Sequence, residues 1–299
     1  MHPILQQFEH RQKKALARAI SMVENEQPGY EELLQALPPK QTPVIGITGP
    51  PGAGKSTLIS ALTKHLVDRD YQVAIVAVDP SSPFNHGSLM GDRVRMSEHF
   101  LHPNVFIRSM ASRGSLGGLS PKILEATDVL RAAWFDFILI ETVGVGQSEV
   151  EIASLADTTI VALVPEAGDE IQTIKSGVME IADIFVLNKA DRDGALTFYK
   201  NLTLLSHSHA TPEWEIPVVK TVATQNTGLD DLLNAILKHG ASQAHNNRKA
   251  VLLAEKALML IKTLRTKDIE FSTLLSEISQ ELQHKNFNLY SYVSKYTSH

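Results

Sequence analysis

From Pro43 onward the chain alternates short, nearly unbroken apolar runs with longer stretches of helical periodicity. The apolar runs fall at 44–48, 72–78, 104–109, 135–141, 158–164, 183–188 and 217–222. FDFILIE and TTIVALV are continuous rather than alternating, which suits strands buried on both faces of a parallel sheet. Segments 56–69, 121–133 and 228–238 between them read as helices. This alternation over about 42–240 predicts an α/β fold, a mostly parallel and doubly wound domain. Residues 3–37 read as helical, broken at Pro28-Gly29 and closed by Pro38-Pro39. From Ala241 the pattern is again helical: Val251, Leu258, Ile261 and Leu264 recur at helical spacing, as do Leu274, Leu275, Ile278 and Leu282. The expected organisation is an N-terminal helical extension (1–40), a central α/β domain (41–240) and a C-terminal helical arm (241–299).

Composition narrows the class. With 299 residues, 43% of them hydrophobic, the chain can fill one large core with helical attachments. A net charge of -5 with no long basic run gives no footprint for nucleic acid. Cysteine is absent, which excludes disulfides and thiolate metal sites. No apolar run approaches the roughly 20 residues that span a bilayer, so no membrane is expected. The opening MHPILQQFEHRQKKALARAI is amphipathic and basic; it reads as a surface helix, with a transit peptide as the alternative. A soluble, cytoplasmic setting is expected.

The chemistry is concentrated after the first predicted strand. Gly49-Pro50-Pro51-Gly52-Ala53-Gly54-Lys55-Ser56-Thr57 fits G-x-x-x-x-G-K-[ST]. Glycines allow successive backbone N–H groups to turn inward around a phosphate, and the helix that follows adds its positive end. Lys55 can reach the β- and γ-phosphates, and Ser56 can ligate Mg²⁺. The anion is therefore expected to be a nucleoside triphosphate. Asn188-Lys189-Ala190-Asp191 follows the run DIFVL. A carboxylate there accepts from guanine N1–H and N2–H₂ together, whereas adenine leaves it unpaired, so GTP and GDP are expected over ATP. Asn188 can bond the base edge and the Lys189 stem can lie across the ring. Backbone amides of Val222-Ala223-Thr224 can meet guanine O6, with a plain strand-to-loop turn as the alternative.

Other residues suit sensing of the terminal phosphate. Glu141-Thr142-Val143-Gly144 has the D-x-x-G form with Glu for Asp. Glu141 would face Mg²⁺ through water, and the Gly144 N–H would meet the γ-phosphate. Asp79 ends the second predicted strand, at the carboxyl edge where ligands of such sheets collect. It is a candidate for the metal or the attacking water, and Asp92 is a second, with a turn former or cap as the alternative for Asp92. Gln147 can orient water or be a plain loop residue.

The run ETVGVGQSEVEIASLADTTIVALVPEAGDEIQTIKSGVMEIADIFVLNKAD (141–191) closely resembles the MeaB/ArgK family, as do VDPSSPFNHGSLMGDRVRM (78–96) and FIRSMASRGSLGGLS (106–120). The likeness spans roughly 42–240. It implies a P-loop GTPase of the SIMIBI class that gates cobalamin loading of, and protects or reactivates, an adenosylcobalamin-dependent acyl-CoA mutase such as methylmalonyl-CoA mutase. It also implies that Asp92 and Glu141 lie in the magnesium region. Asp169, Glu170, Gln172 and Lys175 would form an additional switch that conveys nucleotide state to the mutase. The family's N-terminal extension and C-terminal dimerisation arm would correspond to 1–40 and 241–299, giving a homodimer. The ending KNFNLYSYVSKYTSH departs from the small-residue ending expected there.

Three other readings compete. An ATPase or kinase of lysine/arginine/ornithine transport is disfavoured by Asn188-Lys189-Ala190-Asp191. A nickel metallochaperone usually carries Cys or clustered His, whereas the twelve histidines here are scattered. A nucleotide-dependent binding module without turnover would resemble a slow, partner-stimulated hydrolase.

Overall fold

The computed structural model describes residues 2–40, 42–79, 96–111, 121–142, 152–167, 180–208, 210–283 and 287–297. They fall into two compact units, Met1–Leu253 and Ala254–His299. The first is built on seven strands: β1 (Val44–Thr48), β2 (Val73–Asp79), β3 (Val105–Ala111), β4 (Phe137–Thr142), β5 (Thr158–Leu163), β6 (Ile184–Leu187) and β7 (Val218–Lys220). They form one sheet in the order β3-β2-β4-β1-β5-β6-β7, and every pairing is parallel. All residues of β1, β5 and β6 are buried, as the continuous apolar runs predict for strands covered on both faces.

The order of crossovers explains the two helical layers. The chain steps outward from β1 to β2 and β3, returns to β4, and then proceeds through β5, β6 and β7 on the other side. Right-handed crossovers in opposite directions place helices on opposite faces. Helix α4 (Lys55–Val67) makes the first crossover. Helices α5 (Pro121–Ala132) and α6 (Ala195–Ser208) make crossovers in the return direction, and α7 (Leu229–Gly240) follows β7. Ile45, Ile47, Leu58, Ile59, Leu62, Ile75 and Phe185 are completely buried within one hydrophobic cluster. The sheet reverses direction at β1, so the carboxyl end of β1 is the switch point where open α/β sheets bind ligands.

The last predicted strand is shorter than its apolar run. Pro217 has no N–H to donate, and Val222 instead closes a small loop with Thr227 through paired backbone bonds of 3.1 and 3.2 Å. The N-terminal extension is three helices, α1 (Pro3–Glu9), α2 (Lys13–Glu24) and α3 (Tyr30–Gln35). The expected break is present, with Gly29 in left-handed conformation at φ 88°. A second break at 10–12 has Arg11 at φ 51° and carries neither glycine nor proline to announce it. Helix α2 buries Leu16, Ala19, Ile20 and Val23. It is tied to β3 by Arg108 to Glu24 at 2.5 Å, while Glu26 just beyond it meets Lys122 of α5 at 2.9 Å.

The boundary between the two units falls inside α8 (Gln243–Arg265). The second unit also contains α9 (Phe271–Glu281) and α10 (Leu289–Thr297). Tyr292 of α10 is buried and donates to Glu277 of α9 at 2.7 Å. Most of the large apolar side chains of this unit are exposed, among them Leu258, Ile261, Leu264, Phe271, Leu275 and Leu289.

Candidate functional site

The phosphate-type loop leaves β1 at its carboxyl end, and two of its glycines are there because a side chain does not fit. A Cβ on Gly49 would lie 2.1 Å from the Ala162 carbonyl oxygen of β5, and φ at Gly49 is 135°. A Cβ on Gly54 would lie 2.6 Å from Asn188 Nδ2, with φ at 82°. Pro51 and Gly52 are exposed, Ala53 is buried, and Thr57 is half-buried on the first turn of α4. The Lys55 ammonium folds back over its own loop and donates to the carbonyls of Gly49 at 2.6 Å and Pro50 at 3.1 Å. A cation therefore stands inside the turn, within reach of any anion the loop encloses.

Ser56 and Glu141, both expected on the metal side of the phosphates, are in direct contact. Ser56 Oγ donates to Glu141 Oε1 at 2.6 Å, across 85 residues of sequence, and both side chains are buried. A hydroxyl and a carboxylate held together at the end of β4 offer hard oxygen ligands, the kind that Mg²⁺ takes alongside water and phosphate oxygens. The donor set thus fits that ion. Asp79 is the last residue of β2. Its strand is hydrogen-bonded to β4 with Val78 opposite Thr142, which brings the Asp79 backbone to the same sheet edge as Glu141. Asp92, Gly144, Gln147, Asp169, Glu170, Gln172 and Lys175 lie outside the described residues.

In the second loop, after β6, Asn188 makes internal bonds that its motif does not announce. This side chain is 2% exposed and bonds inside the protein. Its Nδ2 donates to the Ala53 carbonyl at 3.0 Å, and its Oδ1 accepts from Thr221 Oγ1 at 3.2 Å and from the Ala223 N–H at 3.3 Å. Asn188 therefore joins the phosphate-type loop to the loop after β7, with one of its two amide hydrogens committed to Ala53. The Ala223 N–H, expected to face a ligand oxygen, is engaged by the same bond. Val222 and Ala223 are buried and Thr224 is exposed. Lys189, at φ 54°, reaches back to donate to the Gly52 carbonyl at 2.8 Å. The Ala190 N–H donates to the Thr221 carbonyl at 3.1 Å. Asp191 stands exposed beyond this knot, available to accept from a ligand.

Two further contacts were not legible from motif spacing. Thr221 completes the Asn188 clamp, although only its position beside Val222 marked it. Glu166, just after β5, pairs with Arg192, next to Asp191. That hydrogen bond, helped by the positive charge of Arg192 and Lys189, holds the Glu166 carboxyl below its ordinary range.

A glycine-lined anion loop, a serine–carboxylate pair beside it, and an acidic loop bound to the glycine loop make a nucleotide site of a recognisable kind. Residues 16–276 match the family described as methylmalonyl-CoA mutase-associated GTPase MeaB. The chain belongs to the MeaB family. A Pyrococcus abyssi relative whose name carries the word GTPase is 48% identical over 242 residues, covering 79% of this chain and 75% of its own. The Escherichia coli protein named GTPase ArgK is 37% identical over 241 residues, covering 76% of this chain and 72% of its own. Among solved structures, one described as an LAO/AO transport system kinase superposes with a TM-score of 0.69 at 25% identity, over 99% of this chain and 95% of that one. MeaB membership makes this a GTPase fold whose ligand is guanine nucleotide. No helix among the described residues is long and apolar enough to cross a membrane.

Proposed function

We propose that this chain hydrolyses GTP to GDP and phosphate with Mg²⁺, slowly when alone. We further propose that it uses the cycle to gate cobalamin loading of an adenosylcobalamin-dependent acyl-CoA mutase, and to protect or reactivate that enzyme. The observation that carries the reading is the buried Ser56–Glu141 contact beside a glycine loop that is itself clamped to the Asn188–Asp191 loop. This clamp supports a reading in which the phosphate-binding and base-binding loops act as one unit.

The residues divide the work. Gly49 to Thr57 enclose the phosphates with backbone N–H groups. Lys55 exchanges the Gly49 and Pro50 carbonyls for phosphate oxygens, where its charge offsets the negative charge that develops on transfer. Ser56 and Glu141 hold Mg²⁺, with Asp79 or Asp92 as further carboxylates, and the ion supplies charge neutralisation at the β- and γ-oxygens. Gly144 and Gln147 serve the γ-phosphate and the attacking water. Asp191 accepts from guanine, while Asn188, Lys189, Val222, Ala223 and Thr224 shape the wall around the base. Asp169, Glu170, Gln172 and Lys175 form the surface that reports nucleotide state to the mutase.

We also infer a cytoplasmic homodimer. The Ala254–His299 unit exposes Leu258, Ile261, Leu264, Phe271, Leu275 and Leu289 and buries little beyond Tyr292. A second copy that covers those side chains gives the arm its missing core.

A transport-associated kinase is the alternative suggested by the solved structure's description, but Asp191 suits guanine and not adenine. A metallochaperone reading is disfavoured by composition, because such proteins usually carry Cys or clustered His, whereas this chain has no cysteine and its twelve histidines are scattered. The test is capture from native lysate with GDP and then with a non-hydrolysable GTP analogue. Recovery of a cobalamin mutase in a nucleotide-dependent manner supports the reading, and its absence in both states removes the mutase. Lys55→Ala should abolish GTP hydrolysis; turnover that survives it belongs to another site or to a contaminant.

A further inference from the structure

Helix α4 carries a second buried serine that the nucleotide site does not use. Ser60 lies four residues beyond Ser56, hence on the same side of the helix. Its Oγ donates to Glu98 Oε1 at 2.6 Å. The His99 Nε2 atom lies 3.0 Å from Ser60 Oγ and 3.1 Å from the Ser60 carbonyl oxygen. The protons can be assigned from these partners. The serine hydrogen goes to the carboxylate and a carbonyl only accepts, so His99 Nε2 must carry a hydrogen and donate to both oxygens.

The turn that presents His99 is pinned twice. Met96 sits in the main hydrophobic cluster, and His99 is 4% exposed against α4. By contrast, Phe100 and Leu101 immediately after it point to solvent.

We propose that Ser60 and His99 form a latch that fixes the 96–99 turn onto the helix bearing Ser56, one turn beyond that residue, which makes His99 a positioning residue for GTP hydrolysis. The proposal rests on the GTPase reading given above. A latch at this place sets the alignment of reacting groups rather than the grip on nucleotide. Small misplacements of such groups cost rate steeply, by about 10²-fold for roughly 1 Å.

The latch is also sensitive to acid. Burial is the main cause that holds the His99 imidazole below the ordinary histidine value; Lys64 on α4 and His102 push it the same way, and Glu98 and the Ser60 carbonyl oppose them. A histidine whose folded pKa is depressed is protonated first in the released state. The latch is therefore at full strength above the ordinary histidine pKa of about 6.5 and weakens as pH falls below it.

The experiment compares wild type, His99→Leu and His99→Gln over pH 5.5–8, measuring kcat and KM for GTP, binding of a fluorescent GDP analogue, and thermal melting. Leucine fills the space without a donor, whereas glutamine supplies an N–H and does not titrate. At pH 8, His99→Leu should lose about ten-fold in kcat or more with KM and GDP binding unchanged. His99→Gln should keep wild-type kcat at pH 8 and lack the fall that wild type shows below about pH 6.5. Wild-type kcat in folded His99→Leu, or parallel acid limbs in wild type and His99→Gln, overturns the latch. If His99→Leu does not fold, Ser60→Ala takes its place, and an unchanged kcat in that folded variant overturns the latch equally. A wild-type protein that hydrolyses no GTP overturns the GTPase reading, and the latch with it.

Discussion

Truncating Asn188 to alanine separates two roles that are easily confused. In the structure its amide makes three buried hydrogen bonds, to the Ala53 carbonyl, from Thr221 Oγ1 and from the Ala223 N–H. Asn188→Ala leaves those three partners in a buried place at the junction of three loops. An orphaned buried polar group costs about 1–3 kcal/mol, and the low end applies where water can enter, so about 3 kcal/mol is expected for the set. For a folding unit the size of Met1–Leu253, each kcal/mol moves the melting temperature by about 2–4 °C, which gives a fall of roughly 6–12 °C without nucleotide. Guanine affinity should fall as well, because the phosphate loop and the Asp191 loop lose their common anchor. Discrimination between GDP and ADP should persist, since Asp191 is intact. Thermal unfolding of the nucleotide-free protein, with titrations of GDP and ADP, reads all three quantities. A variant that melts like wild type but no longer prefers guanine would show that Asn188 reads the base, and would falsify the clamp.

Other substitutions probe neighbouring parts of the site. Gly49→Ala should abolish folding or cost well over about 4 kcal/mol, because its Cβ would sit 2.1 Å from a backbone oxygen; soluble protein with wild-type unfolding in urea would contradict that packing. Asp191→Asn should weaken guanine binding by several kcal/mol at most while xanthine nucleotide gains; competition titration decides, and equal binding of ATP and GTP by the unmodified protein would sink the base assignment. Lys175→Ala should leave GTP affinity and basal turnover nearly intact and reduce mutase-stimulated turnover, with a coupling of roughly 1–3 kcal/mol; identical stimulation removes that segment from the mechanism. Charged replacements at Leu258 and Leu264 should turn a dimer into a monomer in sedimentation velocity, and a mass unchanged by them places the dimer contact elsewhere.

What could be read from sequence follows a simple physical division. The strands were visible because burial on both faces leaves a continuous apolar run, as in FILIE of β4 and TTIVAL of β5. The glycine loop was visible because its chemistry is compressed into nine consecutive residues. Most of the hidden features depend on partners far apart in the chain. The clamp role of Asn188 emerges only when Ala53 and Thr221, 135 and 33 residues away, are found against it. Ser60 and His99, 39 residues apart, carry no spacing rule. The α1–α2 break rests on a left-handed arginine, a conformation that no local signal demanded. Helical periodicity in the arm was legible, but the pattern alone could not say that the arm's own helices would leave Leu258, Ile261 and Leu264 exposed.

The Asn188 clamp has a consequence during synthesis. The phosphate loop is complete once the ribosome has passed Ser56, yet its anchors at Asn188, Thr221 and Ala223 are encoded up to about 170 residues further on. At the usual pace of elongation, that delay is roughly 10–30 s. Throughout it the emerging loop lacks the groups that brace it, and the loop that selects guanine does not yet exist. The braced site, with its phosphate and base halves joined, therefore forms only after the segment through Ala223 has been made and β7 has joined the sheet.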